Sequence, residues 1–266
     1  MKKFIFKLIK KSFLKFCQKF EKKVFTNYLG TPYGGWYFIA PKQSKNINLI
    51  SAGVGEDISF DIEFFNNFES KIIFVDPTPR AVQHIQEVIK NLGSEKVLDY
   101  DLSSGEQPVN SYDLTQIKED NILLIDKALY NKSGLKIKFF KPSNDEYVSH
   151  SISNFQNRFD RNSDFIEVHT ITLENIINTY NLDKVDIFKL DIEGAENQVL
   201  PDMLKKNIFP HQILVEFDEL STNFIKPYLK AFYIFLLLFF NNYELVKTDN
   251  FPNYLFVYKR SELFKN

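Results

Sequence analysis

The sequence has little cysteine, and Cys17 is the single one among its 266 residues. One cysteine excludes an internal disulfide and any zinc site built on several cysteine ligands of this chain. Such scarcity is typical of proteins in a reducing compartment, because disulfides form where the surroundings are oxidising. We therefore expect a cytoplasmic protein.

Long hydrophobic runs are also missing. The apolar run at residues 231–240 has ten residues, whereas a membrane-spanning helix needs about 20. We therefore predict that this run is a core helix packed against a sheet. Near the N-terminus, lysines interrupt the apolar residues and no small-residue cleavage site follows. This pattern argues against a cleavable signal.

The net charge of −1 conceals an uneven distribution of charge. Residues 1–25 have Glu21 as their one acidic residue and contain nine lysines, at positions 2, 3, 7, 10, 11, 15, 19, 22 and 23. This segment carries a net charge of +8, which leaves −9 for the rest of the chain. A protein that is acidic outside one terminal arm is a poor candidate for nucleic-acid binding, so we expect no nucleic-acid partner.

The basic N-terminal arm spans residues 1–30. Its apolar residues recur at spacings of three and four with lysines between them, a pattern that predicts a basic amphipathic helix. Two interpretations stay open. Residues 1–25 could bind peripherally to the anionic inner face of a membrane, or the helix could pack on its own domain or on a second subunit. Residues 31–266 would form the other domain.

A strand, a glycine turn, a helix and a second strand follow one another in the first half of the chain. Residues 47–52 are an apolar strand pattern, residues 53–57 read Gly-Val-Gly-Glu-Asp, and residues 58–68 have helical spacing. The second apolar strand ends at Asp76 and is stopped by Pro77. This layout is typical of a nucleoside-binding βαβ unit, in which glycines let the backbone approach the ligand.

The acidic residues of this unit favour one class of cofactor. Glu56 and Asp57 would repel the pyrophosphate of a dinucleotide, and the glycine loop is shorter than G-x-G-x-x-G. A cationic nucleoside such as S-adenosylmethionine (SAM) fits better, because carboxylates attract its sulfonium and amino groups. Asp76 is placed to accept hydrogen bonds from ribose hydroxyls.

A second acidic strand end occurs in residues 185–196, which read Val-Asp-Ile-Phe-Lys-Leu-Asp-Ile-Glu-Gly-Ala-Glu. The apolar residues predict a buried parallel strand that brings Asp191 and Glu193 to the carboxyl edge of a sheet. Ligands of open α/β sheets bind at this edge. The next apolar strand along the chain ends in Glu216 and Asp218. We therefore expect the chemistry of the protein at these strand ends.

Several stretches together resemble the FkbM family of SAM-dependent methyltransferases, namely residues 51–61, 75–79, 128–134, 172–173 and 186–196. The most specific motif is Lys-x-Asp-x-Glu-Gly-x-Glu, which begins at Lys189. The resemblance covers roughly residues 45–260 and leaves the N-terminal arm outside. Ser51 is a departure, because many family members have an aspartate at this position.

The resemblance implies an α/β fold of the class I methyltransferase (Rossmann-like) type, with a mostly parallel sheet of seven strands. Alternating residues at 243–248 and 254–259 add a C-terminal antiparallel hairpin. The implied activity is O-methylation of a sugar or glycan hydroxyl, for example on a surface polysaccharide or a nucleotide-sugar precursor. We expect SAM to be bound by Gly53, Val54, Gly55, Glu56, Asp76, Pro77 and Asp191.

Methyl transfer to a hydroxyl requires removal of the hydroxyl proton. Asp191 or Glu193 could act as this base, and His150 and His169 are further candidates for acid–base catalysis. Alternatively, Mg²⁺ could lower the pKa of the hydroxyl. Its ligands would be Asp191, Glu193, Glu216 and Asp218. A purely structural interpretation also exists, in which Lys189 and some of these acids form an ion-pair network.

Two other functions stay open. The βαβ unit could serve an NAD-dependent oxidoreductase, and the basic arm with the apolar helix could belong to a non-catalytic membrane-associated scaffold. The polar run at residues 155–164, which contains Arg158 and Arg161, predicts a mobile surface loop that could cover a substrate. Association into an oligomer is left open as well.

Overall fold

The structure is a computed structural model, and it describes residues 2–42, 45–142, 150–152, 157, 163–222, 224–249 and 252–261, with side chains from residue 6 onward. Arg158, Arg161 and most of the loop predicted at residues 155–164 lie outside the described residues. The helices are α1 (Lys2–Phe20), α2 (Ser59–Asn67), α3 (Pro79–Lys90), α4 (Leu173–Thr179), α5 (Glu196–Lys205) and α6 (Ile225–Phe240). The strands are β1 (Asn27–Leu29), β2 (Trp36–Phe38), β3 (Ile47–Ala52), β4 (Ser70–Val75), β5 (Ile122–Ile125), β6 (Ala128–Leu129), β7 (Lys136–Phe140), β8 (Phe165–Ile171), β9 (Ile187–Leu190), β10 (Gln212–Glu216), β11 (Tyr243–Asp249) and β12 (Asn253–Tyr258).

The central sheet of the described residues has seven strands in the order β11-β12-β10-β9-β3-β4-β5. Strands β10, β9, β3, β4 and β5 run parallel to one another. β12 pairs antiparallel with both β10 and β11, so the last two strands form the expected hairpin. The mixed α/β fold predicted from the sequence is confirmed.

The parallel strands are buried on both faces, which explains their nearly continuous apolar sequences. Because successive side chains of a strand point to opposite faces, the sheet divides the core into two clusters. One cluster contains Ile50, Ile73 and Phe188 and packs against α1, α4, α5 and α6. The other contains Leu49 and Phe74 and packs against α2 and α3.

The N-terminal helix α1 packs into the first of these clusters. Phe13 and Cys17 are buried, and the ring of Phe13 contacts the rings of Tyr228 and Phe235 on α6. After the helix, the backbone N–H of Lys22 donates to a carbonyl of β11 at 2.9 Å. The apolar face of the amphipathic helix therefore packs on its own domain, which was one of the two interpretations of the N-terminal arm.

The apolar run at residues 231–240 lies within α6. Its inner residues, such as Ala231, Phe235 and Leu238, are buried as predicted for a core helix. Its outer residues differ from this prediction, because Tyr233 and Phe240 are exposed. Among the described residues, no helix combines the length and the apolar character needed to cross a bilayer.

Candidate active site

Three neighbouring strands of the central sheet end at the same level. In the parallel register, Ala52 of β3 lies between Val75 of β4 and Leu190 of β9. The next residues continue the pattern, because the N–H of Gly53 donates to Val75 and the N–H of Asp191 donates to Ala52, both at 3.0 Å. The carboxyl ends of these strands therefore open onto one cleft, as expected for an open α/β sheet.

Gly53 is required where two of these strand ends meet. Its φ angle of +71° lies in the left-handed region, which side chains disfavour. A Cβ at this position would also overlap the backbone carbonyl of Asp191. The glycine therefore lets the loop after β3 lie directly against the end of β9.

Asp76 fixes the shape of this glycine loop. Its Oδ2 accepts hydrogen bonds from the N–H groups of Val54, at 2.9 Å, and Gly55, at 3.3 Å. Its Oδ1 accepts from the N–H and the hydroxyl of Thr78, at 2.8 and 2.7 Å. The four lone-pair positions of the carboxylate thus each have a protein donor. Asp76 lines the cleft together with Pro77.

The two acids that follow the glycine loop both have protein partners. Glu56 forms an ion pair of 2.6 Å with Arg80 at the start of α3. Burial raises the pKa of Glu56, and Arg80 opposes the increase. Asp57 accepts a hydrogen bond from the hydroxyl of Thr31 at 2.6 Å and another from the N–H of Ser59 at 2.9 Å. Their repulsion toward a phosphate is therefore weaker than the sequence alone suggests.

Asp191, Glu193 and Asp218 form a carboxylate cluster at the other side of the cleft. One ligand oxygen from each of the three lies within 4.8 Å of the others. A hydrogen bond between Glu216 and Asp218 connects the fourth predicted acid to this cluster. These are oxygen ligands of the kind that Mg²⁺ prefers, and the sequence prediction that these strand ends converge agrees with this geometry.

Burial and mutual repulsion favour the protonated forms of the carboxyl groups in this cluster. Burial raises the pKa of Asp191 to about 8, and Asp218 adds to this increase while Lys189 opposes it. Burial also raises the pKa of Asp218 to about 6, although hydrogen bonds from Glu216 and from the backbone of Glu193 lower it. The pKa of Glu216 is raised by burial and by its two acidic neighbours. A cation in the cleft would favour the charged form of all of them.

The turn after β9 holds the cluster in place. Glu193 has a φ angle of 52° and Gly194 one of 100°, so both lie in the left-handed region. Such strain in a non-glycine residue persists only where neighbouring contacts enforce it. Here the carboxylate of Glu196 accepts from the N–H groups of Ile192 and Gly194, at 3.1 and 3.2 Å. Glu196 therefore has a structural role in this turn.

Lys189 pairs with a residue that the sequence analysis did not select. Its Nζ lies 3.4 Å from Oδ2 of Asp61 on α2 and 3.1 Å from the hydroxyl of Ser51. Lys189, Asp61 and Ser51 are all buried. Ser51 and Lys189 are also register partners in β3 and β9. Ser51, the departure from the family pattern, is therefore part of a buried polar triad beneath the cleft.

Aromatic and aliphatic side chains complete the cleft, which has an empty volume of about 830 Å³ including its open mouth. They come from separate segments of the chain: Tyr33, Trp36, Leu129, Phe139, His150 and Ile152. The ring of His150 stacks on Phe139, with centroids 6.1 Å apart. The walls of the cleft therefore combine apolar side chains with the carboxylates of the strand ends.

His169 is not brought to this site. It lies exposed on β8, opposite Lys136 of β7 in the antiparallel ladder, and it is not among the residues that line the cleft. In a strand, its side chain points away from the face on which Val168 and Thr170 are buried. The histidine at the cleft is His150.

The sheet, the glycine loop and the strand-end carboxylates define an α/β protein with a ligand cleft at the carboxyl edge of its sheet. In sequence, the chain matches the methyltransferase FkbM domain over residues 30–245. The chain therefore belongs to the FkbM methyltransferase family, whose members are enzymes that transfer methyl groups.

One solved structure adds to the comparison. The crystal structure of the methyltransferase FkbM from Methylobacillus flagellatus KT is similar, with a TM-score of 0.43 and 12% sequence identity. The similarity covers 83% of this chain and 45% of that one, so this chain spans less than half of its length. No curated protein matches this chain in sequence.

Proposed function

We propose that this protein is a SAM-dependent O-methyltransferase whose acceptor is a hydroxyl group on a sugar or glycan. Membership of the FkbM family supports methyl transfer. The choice of SAM and of a hydroxyl acceptor rests on the cleft. The single observation that carries it is the placement of the glycine loop, Asp76 and Asp191 around one cavity.

The electrostatics of the cleft favour a cationic cofactor. Three carboxylates lie close together. Burial, together with repulsion from Asp218, raises the pKa of Asp191 to about 8 despite the nearby Lys189. A bound cation relieves such repulsion because it stabilises the charged carboxylates. SAM supplies an electrophilic methyl group on a positively charged sulfur. Gly53, Val54, Gly55, Glu56, Asp76, Pro77 and Asp191 would border it.

Asp191 is the residue proposed to remove the proton from the acceptor hydroxyl. A base works best when its pKa is near the working pH, and burial raises the pKa of Asp191 to about 8. Glu193, in the strained turn beside it, is the second candidate. In a metal-assisted variant of the reaction, Asp191, Glu193 and Asp218 would hold Mg²⁺, which would lower the pKa of the hydroxyl.

Asp76 is proposed to act on the cofactor mainly through the loop. Because its carboxylate holds the N–H groups of Val54 and Gly55, a ribose hydroxyl would have to replace one of these donors. The same hydrogen bonds argue against a dinucleotide, since phosphate binding at a glycine loop needs free N–H groups. This is a stronger reason than the charge of Glu56, which Arg80 balances.

The test has two stages. Calorimetry with S-adenosylhomocysteine should show binding at one site, and NAD should give no thermal shift. Methyl transfer to a panel of nucleotide sugars and glycan fragments should then fall about 10²–10⁴-fold in Asp191→Ala. The matched control is Asp99→Ala, because Asp99 is a fully exposed acid outside the cleft. Near-normal turnover in Asp191→Ala would contradict the assignment of Asp191 as the base. Activity that EDTA leaves unchanged would contradict the metal-assisted variant.

A further inference from the structure

The outward side of α6 is mainly apolar, with the exposed Lys226 near its N-terminal end. Ile225, Leu229, Tyr233 and Phe240 follow one another at intervals of four, four and seven residues, with Phe232 beside them. Residues at these intervals share one face of a helix. Phe240 is 83% exposed, Leu229 62% and Tyr233 57%. A contiguous exposed apolar face of this kind marks an interaction site.

The neighbouring helix α1 presents lysines to solvent. Lys7, Lys11, Lys15 and Lys19 recur every four residues and are all exposed, and α1 contains no acidic residue. Because the opposite face of the helix is buried through Phe13, the lysine face points away from the protein. Electrostatically, α1 is thus a continuous basic stripe on the surface.

The two outward faces lie side by side. α1 and α6 pack on the same face of the central sheet and share one core cluster. They also run parallel, because Phe6 near the start of α1 contacts Tyr228, whereas Phe20 at its end contacts Phe239. We call the combined surface the α1–α6 surface. It consists of Lys7, Lys11, Lys15, Lys19, Ile225, Leu229, Phe232, Tyr233 and Phe240.

We propose that the α1–α6 surface docks peripherally on an anionic lipid bilayer. Lysines beside exposed Phe, Leu and Tyr side chains are the combination that binds at the headgroup boundary, where the apolar groups enter the acyl region and the cations meet anionic lipids. A second copy of the chain fits poorly. In a symmetric dimer the same patch meets itself, and neither α1 nor α6 contains an acidic residue that could pair with the lysines of the other copy.

The position of α6 connects this surface to the cleft. α6 begins at Ile225, shortly after the turn Asp218–Ser221, which contributes Asp218 to the carboxylate cluster. Since β10 delivers this turn to the carboxyl edge of the sheet, the α1–α6 surface starts at the same edge as the cleft. Docking through this surface would therefore hold the bilayer near the edge of the protein where the cleft opens. The docking itself does not depend on the proposed reaction.

Vesicle co-sedimentation of the full chain tests the charge component. Wild type should bind vesicles that contain phosphatidylserine, should bind phosphatidylcholine vesicles weakly, and should lose binding as salt increases. The charge variant carries Lys11→Gln, Lys15→Gln and Lys19→Gln. Its partition coefficient should fall about 100-fold, because each lysine near an anionic surface contributes about fivefold. The control has the same change in net charge at three exposed lysines elsewhere: Lys90→Gln, Lys127→Gln and Lys132→Gln.

A second pair of variants tests the apolar component. Leu229→Gln with Phe240→Gln should weaken binding at least about tenfold, because less apolar surface enters the bilayer. Val97→Gln with Leu102→Gln is the control, since Val97 and Leu102 are 74% and 67% exposed outside the α1–α6 surface. All four substitutions are at exposed positions, and circular dichroism checks that the fold is retained.

Three results would overturn the proposal. The first is wild type that does not bind phosphatidylserine vesicles at low salt. The second is a loss of binding in the control variants equal to that in the α1–α6 surface variants, which would show that binding depends only on net charge or on total exposed apolar surface. The third is that wild type forms a dimer in solution and does not bind vesicles, while the double variant Leu229→Gln with Phe240→Gln is a monomer. That outcome would assign the α1–α6 surface to self-association.

Discussion

The buried pair of Lys189 and Asp61 gives a prediction that can be worked out from the structure. Lys189→Met would remove the ammonium group that lies 3.4 Å from the carboxylate of Asp61. Asp61 is completely buried, and burial already raises its pKa although Lys189 opposes the increase. Breaking a buried pair from one side typically costs about 3–5 kcal/mol, because the remaining charge is uncompensated. This is a large share of the roughly 5–15 kcal/mol that stabilises a domain.

The double variant Lys189→Met with Asp61→Leu separates the pair from the packing. Replacing both members of a buried pair with apolar groups is often nearly neutral. The free energy of unfolding of the double variant should therefore lie within about 2 kcal/mol of the wild-type value. The two substitutions should therefore couple by at least about 2 kcal/mol. The pH dependence has a definite sign. Because the folded pKa of Asp61 is raised, its carboxylate costs more stability as the pH rises above the unfolded value, so Lys189→Met should be less harmful near pH 4 than at pH 7.

Urea unfolding, followed by circular dichroism and by fluorescence, measures all four free energies of unfolding. A loss below about 1 kcal/mol in Lys189→Met would contradict the structural role of the pair. So would additive losses in the double variant, because they would show that the two side chains do not interact. Ser51→Ala is a useful companion, since it removes the hydroxyl 3.1 Å from Nζ of Lys189 and keeps both charges.

Three further predictions concern the cleft and the N-terminal helix. Gly53→Ala should lower the free energy of unfolding by more than about 3 kcal/mol, because the new Cβ overlaps the backbone of Asp191. Gly55→Ala should lower it by only about 1 kcal/mol, since its φ of +56° is strained but the space around it is open. Denaturant unfolding compares the two variants. Asp218→Asn should stabilise the folded protein by roughly 1–3 kcal/mol at pH 8 and by much less near pH 4. The reason is that burial raises the pKa of Asp218 to about 6, so its ionisation destabilises the folded protein as the pH rises through that range. Equal shifts in thermal midpoint at both pH values would contradict this. Phe13→Ala should cost about 3–5 kcal/mol by leaving a cavity, while Leu8→Ala on the exposed side of α1 should stay within about 0.5 kcal/mol.

The strand ends could be predicted from the sequence because their pattern is local. An apolar run that ends in Asp76 or Asp191 contains both the strand and the acid, and parallel strands place such ends on one edge. The same pattern predicted glycines that let the backbone approach a ligand. The steric requirement at Gly53, which is its contact with the carbonyl of Asp191, is visible only when the two strands are side by side.

Other parts of the site depend on contacts between distant segments. The pairing of Lys189 with Asp61 crosses from β9 to α2, and an acid within a helix gives no sign of its partner. Tyr33 reaches the cleft from a loop, where position cannot be predicted by periodicity. His150, one of the two candidate histidines, also lines the cleft. His169 lies outside the cleft lining. Alternation in β8 could place it on either side of the strand, and the structure exposes it.

The N-terminal arm shows the same limit. Its helical spacing identified an amphipathic helix, but two surfaces could bury the apolar face. The structure places Phe13 and Cys17 against α6 and the sheet, so the lysine face is left for solvent. Only the packing of the two helices reveals that the apolar outer residues of α6, such as Leu229, adjoin that basic stripe.

Calorimetric titration of the full chain with S-adenosylhomocysteine tests the central claim most directly, since the claim is that the strand ends of Asp76 and Asp191 form one nucleoside cleft. The account predicts saturable binding to one site per chain and no binding of NAD under the same conditions. Absence of heat with S-adenosylhomocysteine, or binding of NAD in its place, would contradict it.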